Sequence, residues 1–153
     1  MRKMIFIVLA VLILILGAAA GFYFREESYE KAEIVFKTED GEVKFLAEAA
    51  DTAGKRMKGL SGRESLGERE GMIFIYSKPG RPGFWMKGME FPIDIVWIKE
   101  EKVVGITENM MPESFWKGKI FYPPETADMV LEIKAGEVGK NNIKMGDKVK
   151  IVK

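Results

Sequence analysis

The stretch Gly83-Phe84-Trp85-Met86-Lys87-Gly88-Met89-Glu90-Phe91-Pro92-Ile93-Asp94-Ile95-Val96-Trp97-Ile98 decides the fold, because large apolar side chains crowd around isolated charges and two turn-forming residues. Read as extended chain, Phe84 and Met86 share one face and Trp85 and Lys87 the other, so an indole lies beside a charge. Pro92 sets a turn before a second strand. In that strand Asp94 shares its face with Val96 and Ile98, and a carboxylate on an apolar face needs a partner or water. The segment therefore predicts β structure and, with it, the best candidate for a site.

Working outward, residues 34–38 and 43–47 flank Glu39-Asp40-Gly41-Glu42, an Asp-Gly hairpin signal. Asp51 or Thr52 can cap a helix in which Ala53, Met57 and Leu60 fall on one face while Lys55, Arg56 and Lys58 point away, and Gly59 and Gly62 end it. Further strands are expected at 71–76, 84–87, 93–99, 102–110, 129–134 and 148–152, with a short helical turn near 136–142, and Pro and Gly punctuate them. The pattern predicts a mainly β, β-rich α+β domain. It is a small barrel or sandwich of about seven or more short strands with one or two short helices, in preference to any βαβ arrangement.

The central segment resembles a known family. Phe84-Trp85-Met86-Lys87, Pro92 and Asp94 reproduce the F-W-M-K-x-x-x-x-P-x-D pattern of the uncharacterised family DUF192. Upstream, Ala50-Asp51-Thr52, Arg56, Gly59-Leu60 and Arg63 look like its helix, and Glu70-Gly71-Met72-Ile73-Phe74 like its next strand. Downstream, residues 131–136 and 143–149 resemble its closing segments. The resemblance runs over residues 34–153 and implies a small β-rich domain with no established activity. Family members usually carry Asn-Thr after the Lys, whereas Gly88-Met89 stands here and removes two polar groups.

Composition narrows the chemistry. The 24 basic and 23 acidic residues leave a net charge of +1, which gives no electrostatic case for nucleic acid. With no Cys and no His, the described chemistry of thiolate nucleophiles, Ser and Cys triads, disulfides and nearly all catalytic zinc sites falls away. No cofactor or metal is expected. Abundant Lys and Glu without Cys is the bias of proteins from hot habitats.

Residues 4–24 form an uncharged, mostly apolar run. At about 1.5 Å per residue it spans the ~30 Å hydrocarbon core of a bilayer as a helix. The expected organisation is a transmembrane anchor or signal segment at 1–25, a linker at 26–33 and the β domain at 34–153. Arg2 and Lys3 would stay inside and the domain would lie outside the cytoplasm as a single-pass membrane protein. Ala18-Ala19-Ala20 offers the alternative of a cleaved signal and a secreted domain. Phe22-Tyr23-Phe24, just before Arg25, sit where interfacial anchors do and favour the uncleaved form.

The candidate ligand-binding residues are Trp85 as a cleft wall, Lys87, Asp94 and Arg63, the last as the basic residue to reach Asp94. The bland alternatives are core packing for Trp85, Met86 and Phe91, and a structural ion pair for Asp94. The function expected is a ligand- or partner-binding accessory module, taking an unknown small ligand or an envelope protein. A carboxylate-based, glycan-directed hydrolase using Asp94 with Glu70 or another acid is the rival, since that chemistry needs neither His nor metal. A structural interaction module acting through loops such as Met110-Met111-Pro112 is the third.

Overall fold

The computed structural model describes residues 28–113 and 118–152. The expected membrane segment at residues 1–25 lies outside the described residues; among those described, no helix is long and apolar enough to cross a membrane. Among the described residues seven strands are formed: β1 (Lys31–Thr38), β2 (Gly41–Ala50), β3 (Glu70–Gly80), β4 (Ile93–Lys99), β5 (Lys102–Met110), β6 (Ala127–Lys134) and β7 (Lys148–Val152). Two short helices accompany them, α1 (Ala53–Lys58) and α2 (Glu137–Lys140).

The strands follow the order β1-β2-β3-β6-β4-β5-β7, and β7 returns to β1, so the sheet closes into a ring. Asp40-Gly41 turns β1 into β2 as the hairpin signal predicts, with Thr38 opposite Gly41. Against expectation, β2 and β3 are parallel and joined through α1, a single crossover in an otherwise antiparallel sheet. The expected strand at 84–87 is not formed; that segment makes only isolated bridges, Phe84 to Phe121 and Lys87 to Glu113. It lies across the sheet as a cover.

Two apolar layers result. One draws on all seven strands, with Ile34, Phe45, Ile73, Ile98, Val103, Leu131 and Val149 among its members, and fills the ring. The other lies on the opposite face of β3, β6 and β4, where Met72, Phe74, Ile95, Trp97 and Val130 meet Leu60, Leu66, Phe84, Met86 and Met89 from the covering segments. All six residues of the run from Ile93 to Ile98 are consequently buried. Strand alternation sends Val96 and Ile98 inward and Ile95 and Trp97 outward.

Asp94 goes inward with Val96 and Ile98, and the partner predicted for it is not the one it has. Its Oδ1 accepts the Asn109 amide at 2.8 Å, and Oδ2 accepts those of Gly136 at 2.9 Å and Val138 at 3.1 Å. Asn109 (φ 52°) and Gly136 (φ 88°) have left-handed backbones. The carboxylate thus holds the register irregularity of β5 at Asn109 and the start of α2, whose Val138 enters the inner layer. Arg63 is elsewhere, forked onto the Glu48 carboxylate, with Nη1 to Oε1 at 3.2 Å and Nη2 to Oε2.

Helix α1 begins as predicted, with Thr52 Oγ1 accepting the Lys55 amide at 3.2 Å, and Leu60 is buried and Lys58 exposed as expected, but Lys55 and Met57 have exchanged places. Met57 is exposed, whereas Lys55 is buried with its Nζ 3.1 Å from Asp51 Oδ1 and 5.5 Å from the Tyr29 ring centre. A Lys stem can pack as hydrocarbon when its ammonium finds a carboxylate and a ring face.

Asp94→Ala leaves three amide donors without their acceptor, at an order of 1–3 kcal/mol each where they stay dry. Urea unfolding should show a loss of several kcal/mol, and Asp94→Asn, which keeps one acceptor oxygen, a smaller loss. Combined with Arg63→Ala, Asp94→Ala should be additive within about 0.5 kcal/mol. A coupling beyond that would restore the pairing that the geometry denies.

Candidate functional site

On the outer face, the registers of β3 and β4 against β6 place Met72 and Ile95 on either side of Glu132, and Phe74 beside Val130. The covering segments do not seal this region completely. A cleft of about 270 Å³ remains, with Phe74, Tyr76 and Glu132 from the sheet, Arg56, Met57, Lys58, Leu60 and Ser61 on one side, and Gly83, Phe84, Trp85 and Met89 on the other.

The second wall is rigidly mounted. Phe84 and Phe121 exchange backbone hydrogen bonds at 2.9 and 2.8 Å. The Phe84 ring stands edge-on to Phe74 at 4.9 Å and to Trp97 at 5.4 Å between centroids. With Phe84 and Met86 buried, alternation turns Trp85 outward, and its indole is 44% exposed at the cleft's lip. Gly83 lies in close approach to its neighbours: a Cβ there would fall 2.7 Å from Ile120 Cγ2, and that side chain would have to shift.

Glu132 is the unusual residue. It is 5% exposed, and its Oε2 is buried without a hydrogen-bond partner. Burial pushes its carboxyl up to about 8, although the Arg63 guanidinium pulls the other way. Burial also raises the Tyr76 phenol, which Arg56 lowers and Glu132 raises further. Arg56 itself is committed: Nη1 donates to the carbonyls of Asp51 at 2.8 Å and Ile75 at 3.0 Å, and the guanidinium lies 5.1 Å from the Tyr76 ring centre.

Of the residues expected from sequence, the structure brings only Trp85 to this cleft. Met86 is core and Phe91 partly buried. Lys87 is exposed outside the cleft lining, its carbonyl accepting the Ser61 hydroxyl at 3.0 Å. Arg63 is bound to Glu48, and Asp94 lies on the opposite face of the sheet. Glu70 is exposed and accepts the Gly67 amide at 3.1 Å. Asp94 and Glu70 therefore do not meet in the cleft. Among the described residues no group of three or more acidic side chains is gathered to hold a metal ion. Glu132 was missed, although the signal was the one that singled out Asp94: an acid between Leu131 and Ile133, sharing its strand face with Val130.

Comparison with known proteins agrees with this fold. The DUF192 family, described as "Uncharacterized ACR", matches residues 34–151, and the chain belongs to it. A candidate transcription regulator from Sinorhizobium meliloti 1021 has a similar crystal structure, with a TM-score of 0.76 and 28% identity, covering 82% of this chain and 97% of that one. A protein of unknown function from Novosphingobium aromaticivorans DSM 12444 is similar with a TM-score of 0.76 and 30% identity, covering 82% and 89%. No curated protein matches the chain.

The raised Glu132 carboxyl links stability to pH. The folded protein keeps a proton that the unfolded chain has released between the ordinary Glu range and about pH 8, so this contribution is full at low pH and is lost as pH rises through about 8. Relative to wild type, Glu132→Gln should therefore gain up to about 1.4 kcal/mol per pH unit across that window, then level off. Urea unfolding of both proteins along a pH series measures the difference; a constant gap would mean an ordinary carboxyl.

Proposed function

We propose that this DUF192 domain is a ligand-binding module whose site is the Trp85 cleft, and that residues 4–24 hold it at the outer surface of a membrane. The observation that carries the binding role is Glu132, a buried carboxyl with an unpartnered oxygen in the lining of a cleft whose other members include aromatic and Met side chains together with Arg56 and Lys58. A domain optimised only for packing would place an apolar residue there or supply a partner. Perturbed carboxyls in clefts with apolar walls are the physical signature of a site. The bilayer attachment rests on the length and hydropathy of residues 4–24 and on Arg2-Lys3 beside them.

A binding role fits better than the glycan hydrolase. That chemistry uses two carboxyl groups roughly 5–10 Å apart. Among the described residues, Glu132 is the only acidic residue lining the cleft. Nor does the name borne by the Sinorhizobium neighbour transfer readily, because a net charge of +1 offers no general attraction to nucleic acid.

A thermal-shift screen of the protein against glycans, peptides, small zwitterions and cell-wall fragments tests the reading, with Trp85→Ala as the control. A ligand that stabilises wild type by binding should lose most of that shift in the variant, each shift being measured from that protein's own melting temperature. Equal shifts in both proteins would move the site away from the cleft. Absence of any shift, with Trp85→Ala unfolding at a much lower temperature than wild type, would make Trp85 part of the core.

A further inference from the structure

Four charged or ionisable side chains line the cleft: Arg56, Lys58, Glu132 and Tyr76. Arg56 is occupied by two backbone carbonyls and the Tyr76 ring. Lys58 and Glu132 are not occupied. Glu132 Oε2 has no hydrogen-bond partner, and the Lys58 ammonium makes no ion pair or hydrogen bond among the described residues. One is buried at the floor; the other is exposed at the rim. Lys58 is a cation and Glu132 an acid that becomes an anion only when it gives up its proton; they line one cleft and do not satisfy each other.

We propose that the cleft binds a small zwitterion, its ammonium group against Glu132 at the floor and its anionic group against Lys58 at the rim. This rests on the reading of the cleft as the binding site and names its ligand class. The aromatic faces of Phe74, Phe84 and Trp85 suit an ammonium group and its attached methylenes. A simple cation would have to pass Lys58 and Arg56 with nothing to offset them, and a simple anion would leave the floor carboxyl unpaired. The volume of about 270 Å³ lies just under the ~300–1,000 Å³ of ordinary ligand pockets, which fits a molecule of few atoms.

The neighbours of Glu132 define its response to pH. Its flanking residues on β3 and β4, Met72 and Ile95, are uncharged. The charged or ionisable groups that bear on it are Arg63 from the segment after α1, held by Glu48, and Tyr76 from β3, itself under Arg56. Empty, the carboxyl holds its proton up to about pH 8. An entering ammonium group displaces that proton to solvent and leaves a carboxylate–ammonium pair. Affinity should thus rise with pH, by up to about tenfold per unit, and level off above about 8.

Isothermal titration calorimetry with ω-amino acids from glycine to 6-aminohexanoate tests this, with alkylammonium ions and alkanoates of matching length as single-charge controls. Two buffers of different ionisation enthalpy count the protons released. One zwitterion length should bind about tenfold or more tighter than either control, with proton release near neutral pH. Glu132→Gln should abolish the release and most of the affinity. Lys58→Met, at an exposed position, should weaken the zwitterion severalfold while leaving the alkylammonium ion unweakened. Equal binding of either control, or a zwitterion bound equally by wild type and Glu132→Gln, would overturn the proposal. If no zwitterion binds while another compound gives a Trp85-dependent thermal shift, the ligand class is wrong and the cleft reading stands. If nothing gives such a shift, both fall.

Discussion

Strands β3, β6 and β4 are neighbours in the sheet and are covered on both faces, and this constraint decides where the chain can place charge. The inner face helps fill the ring, while the outer face is roofed by the segments around Leu60, Leu66 and residues 84–89. Each of their two buried acids, Asp94 and Glu132, must find an answer in low dielectric. Asp94, facing inward, is met by three backbone amides and becomes the tie between β5 and α2. Glu132, facing outward one strand away, has a partnerless oxygen. The same physical problem is solved at one position and left open at the other, and the open one is where the roof is incomplete.

That contrast also explains what could be read in advance. The bounds of β4 and β5 follow from residues alone, because a run from Ile93 to Ile98 and its hairpin partner leave little choice of conformation. Asp40-Gly41 specifies its turn just as locally. The face on which Asp94 lies is equally legible, since it follows from period two. Its partners are not: the amides come from residues 15, 42 and 44 positions away, and backbone amides carry no side-chain signature. Arg63 looked available for the same reason, until folding brought Glu48 to it.

Residues 84–87 misled in another way. Their alternation was read correctly, with Phe84 and Met86 buried and Trp85 and Lys87 exposed. Alternation between a buried and an exposed side does not require a strand in the sheet; it requires only extended chain lying on an apolar surface. The α1 faces misled because side-chain class was used in place of side-chain reach, and Lys55 has a stem long enough to be buried while its ammonium is paired. The parallel step from β2 to β3 is a property of the closed sheet and has no local signal.

Strand β6 lies between β3 and β4 although it follows both in the chain. As the polypeptide leaves the ribosome, β3 and β4 are made first, and neither can pair along its central edge until residues 127–134 arrive. β7, which meets β1 across five registered pairs and β5 through Lys102 opposite Lys148, arrives later still. A nascent chain therefore carries two unsatisfied, strongly apolar strand edges from the completion of β4 at residue 99 until β6 is finished at residue 134, a condition that exposes it to edge-to-edge association between copies. The ring that hides those edges in the finished protein demands that something, whether rapid completion or a protecting surface, covers them while the chain is being made.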